Sequence, residues 1–319
     1  MSVPPLVWAL TVVGLVVIVV LDLTVIAHRD RTVSTRDATR WVLIYVGLAA
    51  LFAVALFLFA PGDTGAEFVA GYVTEYSLSV DNLFVFMVIM TRFAVPPLAQ
   101  DKVLYIGIVV SLILRAGFIL VGAAAIAAAS WVFYILGAFL LYTAIRLALE
   151  DPDQQSEFTE NALLRWLRRL LPLSTRYQGT RFTTRADGRL LLTPMVLVVA
   201  AIGLANVIFA LDSIPAIFGL TTNAYVVFTA NALALMGLRQ LYFLIGGLLE
   251  RIVYLNKGLA VILGFIGVKL LLEALHGSHF AGLAWLPEIG TAESLGFIVV
   301  TLGVTVVVSV ARTRRETRS

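Results

Sequence analysis

Nine apolar runs, at about 5–27, 41–60, 66–91, 102–124, 126–147, 191–220, 224–248, 257–275 and 294–311, dominate the sequence. Each can cross a hydrocarbon layer of roughly 30 Å as a helix. A segment in lipid must satisfy its own backbone hydrogen bonds, which leaves helices or a closed barrel. Long runs without alternation select helices. The composition agrees, with 60% hydrophobic and 13% charged residues and a mean hydropathy of +0.96, which argues against soluble domains. The predicted fold is an all-α polytopic membrane protein with about nine transmembrane helices. The first run lacks a basic leader and is long enough to span, so it reads as an uncleaved helix. There is no cysteine, which removes disulfides, thiolate metal sites and cysteine nucleophiles. The net charge is only +3 and the basic residues gather in loops, so nucleic acid is not an expected partner.

Nine spans put the termini on opposite sides. "HRDRTVSTRDATR" carries four arginines and the 147–190 segment seven more; "TRFAVPPLAQDK", "ERIVYLNK" and "ARTRRETRS" are also basic. All of these share one side when the N-terminus faces out, and the remaining loops contain no Lys or Arg. The positive-inside rule predicts N-out/C-in in the plasma (cytoplasmic, inner) membrane. Within the long inner segment, "FTENALLRWLRRLLPL" spaces its leucines helically, with Arg165, Arg168 and Arg169 on other faces. It suits an amphipathic helix on an anionic inner leaflet, or equally an ordinary packed connecting helix. "RFTTRADGRLLLTP" predicts a short hairpin turning at "ADG". The expected organisation is two N-terminal helices over 1–60, a first repeat over 61–150, the basic segment 151–190, a second repeat over 191–276, and a last helix with basic tail over 277–319.

The repeat rests on three markers in order. Glu75 and Asp81 are six residues apart, as are Asn206 and Asp212. The next span carries an arginine in each half, Arg115 in "ILRAGFIL" and Arg239 in "GLRQLYFL". The span after that holds "YILGAFLLYTAIRLALE" in one half and "VILGFIGVKLLLEALH" in the other. Spans 3–5 therefore align with spans 6–8. Because three is odd, the second copy enters from the opposite face. Inverted repeats of this kind typify secondary transporters, whose sites lie near the midplane between the copies.

A carboxylate near the bilayer centre costs about 2.5–3.5 kcal/mol on insertion scales and calls for a partner or a task. Glu75, Asp81 and Asp212 face only Arg115 and Arg239 as counter-charges, while Lys269 and Glu273, at i,i+4, can satisfy each other. One carboxylate is left over for a cation or a proton. Carboxylates, an amide and freed carbonyls, with no cysteine, make a hard-oxygen site suited to Mn²⁺, Ca²⁺ or Mg²⁺. Six residues leave about 240° of rotation, so Glu75 and Asp81 share an ion only if the helix unwinds between them; Ser79 and Asn82 lie close to Glu75's face. Pro215 frees the carbonyl of Leu211 beside Asp212, and a continuous helix over 191–220 would measure about 45 Å, so a broken helix is expected at "LDSIP". His276 and His279 read as incidental loop residues, and Met87 and Met90 as core.

At these residues the chain resembles the TerC family, the tellurium-resistance-associated integral membrane proteins that include the Alx-type manganese exporters. "EYSLSVDNLFVF", "FALDSIPAIFGLT", "GLRQLYFL" and "ILGFIGVKLLLE" look like that family's motifs, and the likeness covers roughly 66–275. The resemblance implies Mn²⁺ efflux and metal homeostasis, with Glu75, Asp81, Asn82 and Asp212 as the membrane site. One departure stands out: Gly203 and Asn206 are neutral where family members often carry acids. The expectation is a transporter, not an enzyme, with no permanently bound cofactor. It exports Mn²⁺ (or Ca²⁺/Mg²⁺) in exchange for protons at a site of Glu75, Ser79, Asp81, Asn82, Asn206 and Asp212. Arg239 is expected to reach Asp81 when no metal is bound, and Arg115 to lie nearer Glu75 and Asp212. A scaffold or assembly factor in metal or tellurite stress is the competing reading.

Overall fold

The computed structural model describes residues 3–27, 35–128, 131–149, 177–186, 189–245, 254–277 and 289–316, with Pro172 and Ser174; at some helical positions, among them Asp81, Asp212 and Glu273, it describes the backbone alone. The helices are α1 (Pro5–Ala27), α2 (Thr35–Phe59), α3 (Thr64–Arg92), α4 (Pro97–Ala128) and α5 (Val132–Leu149). A hairpin of β1 (Thr183–Ala186) and β2 (Arg189–Leu192) follows, then α6 (Met195–Phe218), α7 (Ala224–Met236), α8 (Leu238–Ile245), α9 (Leu255–Gly277) and α10 (Thr291–Glu316). Eight spans are long and apolar enough to cross a membrane, α7 and α8 counting as one, and α1 contributes a shorter apolar stretch, Pro5–Leu21. The protein is thus a polytopic all-α membrane protein, and every expected span meets a helix.

Local chemistry sets the ends. Glu67 lies in the first turn of α3 and Arg92 in the last, each complementing the helix dipole. The chain leaves α3 through Ala94, at φ +46°, with Ala94 N bonded to Thr91 O and Val95 N to Met90 O. This is the bond pattern that satisfies the last carbonyls of a helix through a left-handed residue. Pro96 and Pro97 then start α4. Asn223 caps α7, its side chain accepting from Tyr225 N at 3.1 Å.

The α7–α8 span is the hub, with 89% of its window buried, against 17% for α2 and for α5 and 22% for α10. Helix order around the hub follows from the contacts. Phe68 clusters with Val226, and Gly71 packs on Ala230, so α3 and α7 run parallel. Ile202 meets Gly107 and Phe218 meets Gly122, so α4 and α6 are parallel too. The Phe86 ring lies 6.2 Å from that of Phe209 while Gly71 meets Ile217, so α3 and α6 are antiparallel. The most extensive pair, α5 with α9, is also antiparallel: Tyr134 Oη donates to Ala274 O, and Lys257 Nζ to Ala148 O. Its close approach depends on glycine. A Cβ on Gly137 would come within 2.8 Å of Leu271 Cγ, and one on Gly267 within 3.1 Å of Gly137 O. Counted from the shared Ile-Leu-Gly, Gly137 corresponds to Gly264 and Leu271 to Ala144. Ala144 is the residue that Gly264 meets, so these two contacts mirror each other.

Two expectations need correction. No break occurs at "LDSIP": α6 is helical from Met195 to Phe218 with Pro215 inside it. Strand β2 takes residues 189–192 out of the helix and leaves 24 helical residues, so the length argument for a break lapses. Pro215 lies in the last turn, where one lost hydrogen bond, at the carbonyl of Leu211, is tolerated. The interruption falls instead in the next span, at Gly237 between α7 and α8. Nor is α3 unwound between Glu75 and Asp81. The hairpin is as expected, antiparallel with Ala186 opposite Arg189. The amphipathic segment 158–173 (apart from Pro172), His279 and the side chain of His276 lie outside the described residues.

Candidate functional site

The deepest polar cluster in the bundle is built by three helices around Glu75 of α3. Glu75 is 0% exposed, Arg115 of α4 1% and Asn231 of α7 2%. Arg115 Nη1 forms an ion pair with Glu75 Oε1 and donates to Asn231 Oδ1 at 2.8 Å. Asn231 Nδ2 donates to Glu75 Oε2 at 3.3 Å, and Ser79 Oγ, one turn along α3, to Glu75 Oε1 at 3.1 Å. Both carboxylate oxygens are therefore engaged. A buried pair satisfied in this way is tolerated, whereas either partner alone would be an uncompensated charge. Among the described residues, Nε and Nη2 of Arg115 and the hydroxyls of Thr74, Ser111 and Ser213 find no hydrogen-bond partner.

Asn206, six residues before Asp212 as Glu75 is before Asp81, makes a buried contact of its own. Its Nδ2 donates to Gly107 O of α4 at 2.8 Å. Aligned on the two arginines, Asn231 corresponds to Gly107; aligned on Asp81 and Asp212, Glu75 corresponds to Asn206. The Asn231–Glu75 and Asn206–Gly107 contacts thus join positions that correspond in these two alignments, one through two side chains and the other through a side chain and a backbone carbonyl. Asn82, buried, likewise corresponds to Ser213.

Arg239, at the start of α8, donates from Nη1 to both oxygens of Asp101, at 3.0 and 3.2 Å. The contact expected with Asp81 involves a side chain outside the described ones. Asp101 escaped the sequence reading because it sits in a loop read as basic; Pro97, a favoured first helical residue, was the signal that α4 already includes it. Asn231 was missed as well, although an amide inside an apolar span is itself a signal. Lys269 Nζ donates to Ser294 Oγ at 3.3 Å. Beside Asp101, Lys102 Nζ donates to Thr180 O at 2.9 Å and lies over the Phe182 ring. Tyr177 Oη donates to Phe93 O at 2.6 Å, and burial raises its phenol above the usual value, keeping it a donor. The hairpin is thus strapped to the α3–α4 turn.

The backbones of Asp81 and Asp212 occupy related levels. Asp81 lies five residues before Phe86 and ten after Gly71; Asp212 lies three after Phe209 and five before Ile217. On antiparallel helices joined at those two contacts, the two positions differ in height by about 3 Å measured from the Phe86–Phe209 contact and by about 7.5 Å measured from the Gly71–Ile217 contact.

Comparison with known proteins gives the family. An uncharacterized membrane protein of Mycobacterium tuberculosis (strain H37Rv) is 45% identical over 303 residues, 92% of this chain and 76% of the relative. One from Myxococcus xanthus is 35% identical over 315 residues, 99% of this chain and 95% of the relative. Alx of Escherichia coli (strain K12), described as a candidate membrane-bound redox modulator, is 38% identical over 277 residues, 84% of this chain and 86% of that one. No solved structure matches. The model of the integral membrane protein TerC family matches residues 60–317, and the chain belongs to that family.

Proposed function

We propose that this protein exports divalent cations, Mn²⁺ first among them, in exchange for protons, through a site where α3 and α6 cross between two inverted three-helix units. The units are α3–α5 and α6–α9. Their reciprocal contacts at Gly137/Leu271 and Gly264/Ala144, and the antiparallel run of α3 against α6, support that reading. The ligands are Asp81 with Asn82 on one side and Asp212 with Ser213 on the other.

The observation that carries the proposal is the charge count. Arg115 pairs with Glu75, and Arg239 donates to both oxygens of Asp101. Four acids (Glu75, Asp81, Asp101, Asp212) against two arginines leave a net of two negative charges for a cation to balance. Two carboxylates, an amide and a hydroxyl suit a hard divalent ion. The name of the E. coli relative points to redox modulation; a chain without cysteine can reach redox balance indirectly, by moving a redox-active metal.

The test is metal flux into proteoliposomes with Mn²⁺, Ca²⁺, Mg²⁺ and Zn²⁺ in parallel. Mn²⁺ flux is expected to exceed the others. Asp81→Asn and Asp212→Asn are each expected to reduce it at least about tenfold, since each removes a charge from a low-dielectric site. Variants that transport like wild type would end the proposal.

A further inference from the structure

We infer that Glu75 is not a ligand of the cation but a positioning residue, one half of a charge lock that cancels Arg115 and so keeps the guanidinium from opposing a cation held at Asp81 and Asp212. The inference rests on the cation-site reading above and reverses the role that the sequence assigns to Glu75.

Three observations carry it. First, the carboxylate is already occupied: Arg115 and Ser79 bond Oε1, and Asn231 bonds Oε2. To coordinate an ion, Glu75 would have to surrender donors at a position 0% exposed, where an abandoned guanidinium costs as much as an abandoned carboxylate. Second, α3 is unbroken from Thr64 to Arg92, so Glu75 stands about 240° around the axis from Asp81 and, though near Asn82's face, about 10 Å along the axis from it. Glu75 belongs to the face turned to α4 and α7, where it meets Arg115 and Asn231. Third, the corresponding positions in the second half join without any charge, as Asn206 against Gly107 O. A joint that works with an amide and a carbonyl is a structural joint. What the first half adds is an arginine together with the acid that cancels it.

The lock makes a prediction whose sign differs from that of a ligand. With Glu75→Gln, Arg115 stays as an uncompensated positive charge near the site and repels cations. With Glu75→Gln/Arg115→Gln, both charges go and the net charge at Asp81 and Asp212 is restored. A ligand lost in the single variant would stay lost in the double.

The experiment is Mn²⁺ titration of the purified full-length protein in detergent by equilibrium dialysis, with thermal unfolding of each variant alongside. Glu75→Gln is expected to weaken binding at least about tenfold, by charge repulsion across a low-dielectric interior. Arg115→Gln is expected to bind no more weakly than wild type, and the double variant to return to within about threefold of it. A double variant as weak as Glu75→Gln makes Glu75 a ligand and overturns the inference. So does recovery of the unfolding temperature without recovery of binding, which would mark the pair as structural only. Should Glu75→Gln fail to fold, the double variant against wild type still decides: within about threefold upholds the lock, while a loss of about tenfold or more refutes it. A flat wild-type titration would sink the cation-site reading itself, an outcome distinct from all of these.

Discussion

At Ala94 the chain turns from α3 into α4 with φ +46°, a conformation in which a Cβ crowds the following carbonyl. The side chain is exposed and makes no packing contribution there. Ala94→Gly is therefore expected to stabilise the protein by about 1 kcal/mol, read as a rise in the detergent unfolding temperature. No change would mean that the turn bears no strain. Glu75, Arg115 and Asn231 illustrate a different side of the residue scale. Glu75 and Arg115 were legible in the sequence because a charge inside an apolar run is conspicuous. The expectation that Arg115 lies near Glu75 is met by their ion pair, but the amide that spans the two was not legible. Hydrogen bonding between α3, α4 and α7 depends on which faces meet, and residue spacing along one helix says nothing of the face presented by another.

Among the elements, α5 and α9 meet through small residues, as helices in lipid do when dispersion rather than water drives their packing. The two corresponding glycines nevertheless differ in space. A Cβ on Gly137 would sit 2.8 Å from Leu271 Cγ and 3.1 Å from Gly267 O, whereas one on Gly264 would sit 3.7 Å from Ala144 Cβ. Gly137→Ala is expected to cost about 1–3 kcal/mol through overpacking. Gly264→Ala should be neutral or stabilising by up to about 1 kcal/mol, from the helix propensity gained. Paired thermal unfolding in one detergent checks this; equal losses at both positions would refute the asymmetry. Span positions were readable from apolar length alone, since lipid permits few alternatives. The place of the helix interruption was not. Proline and run length pointed to "LDSIP", but β2 shortens α6, which carries Pro215 in its last turn, and the interruption lies in the next span, at Gly237.

For the whole molecule, the ends of the bundle differ in charge: the hairpin, the α3–α4 turn and their arginines lie at one end, and loops without Lys or Arg at the other. The N-out/C-in orientation proposed from this predicts that green fluorescent protein fused after Ser319 fluoresces and that alkaline phosphatase fused there is inactive. The opposite pattern would invert the molecule, and with it the direction of export. Residue order alone was enough to establish the membrane, the place of the apolar helices, the family and the acids within it. Lipid makes this possible, because apolar length and buried charge outweigh every subtler preference there. Which charges cancel was left to the packing of the bundle. Asp101 claims Arg239 and Glu75 claims Arg115, because pairing energy falls with distance and desolvation, and both are set by helices that meet far apart in the chain.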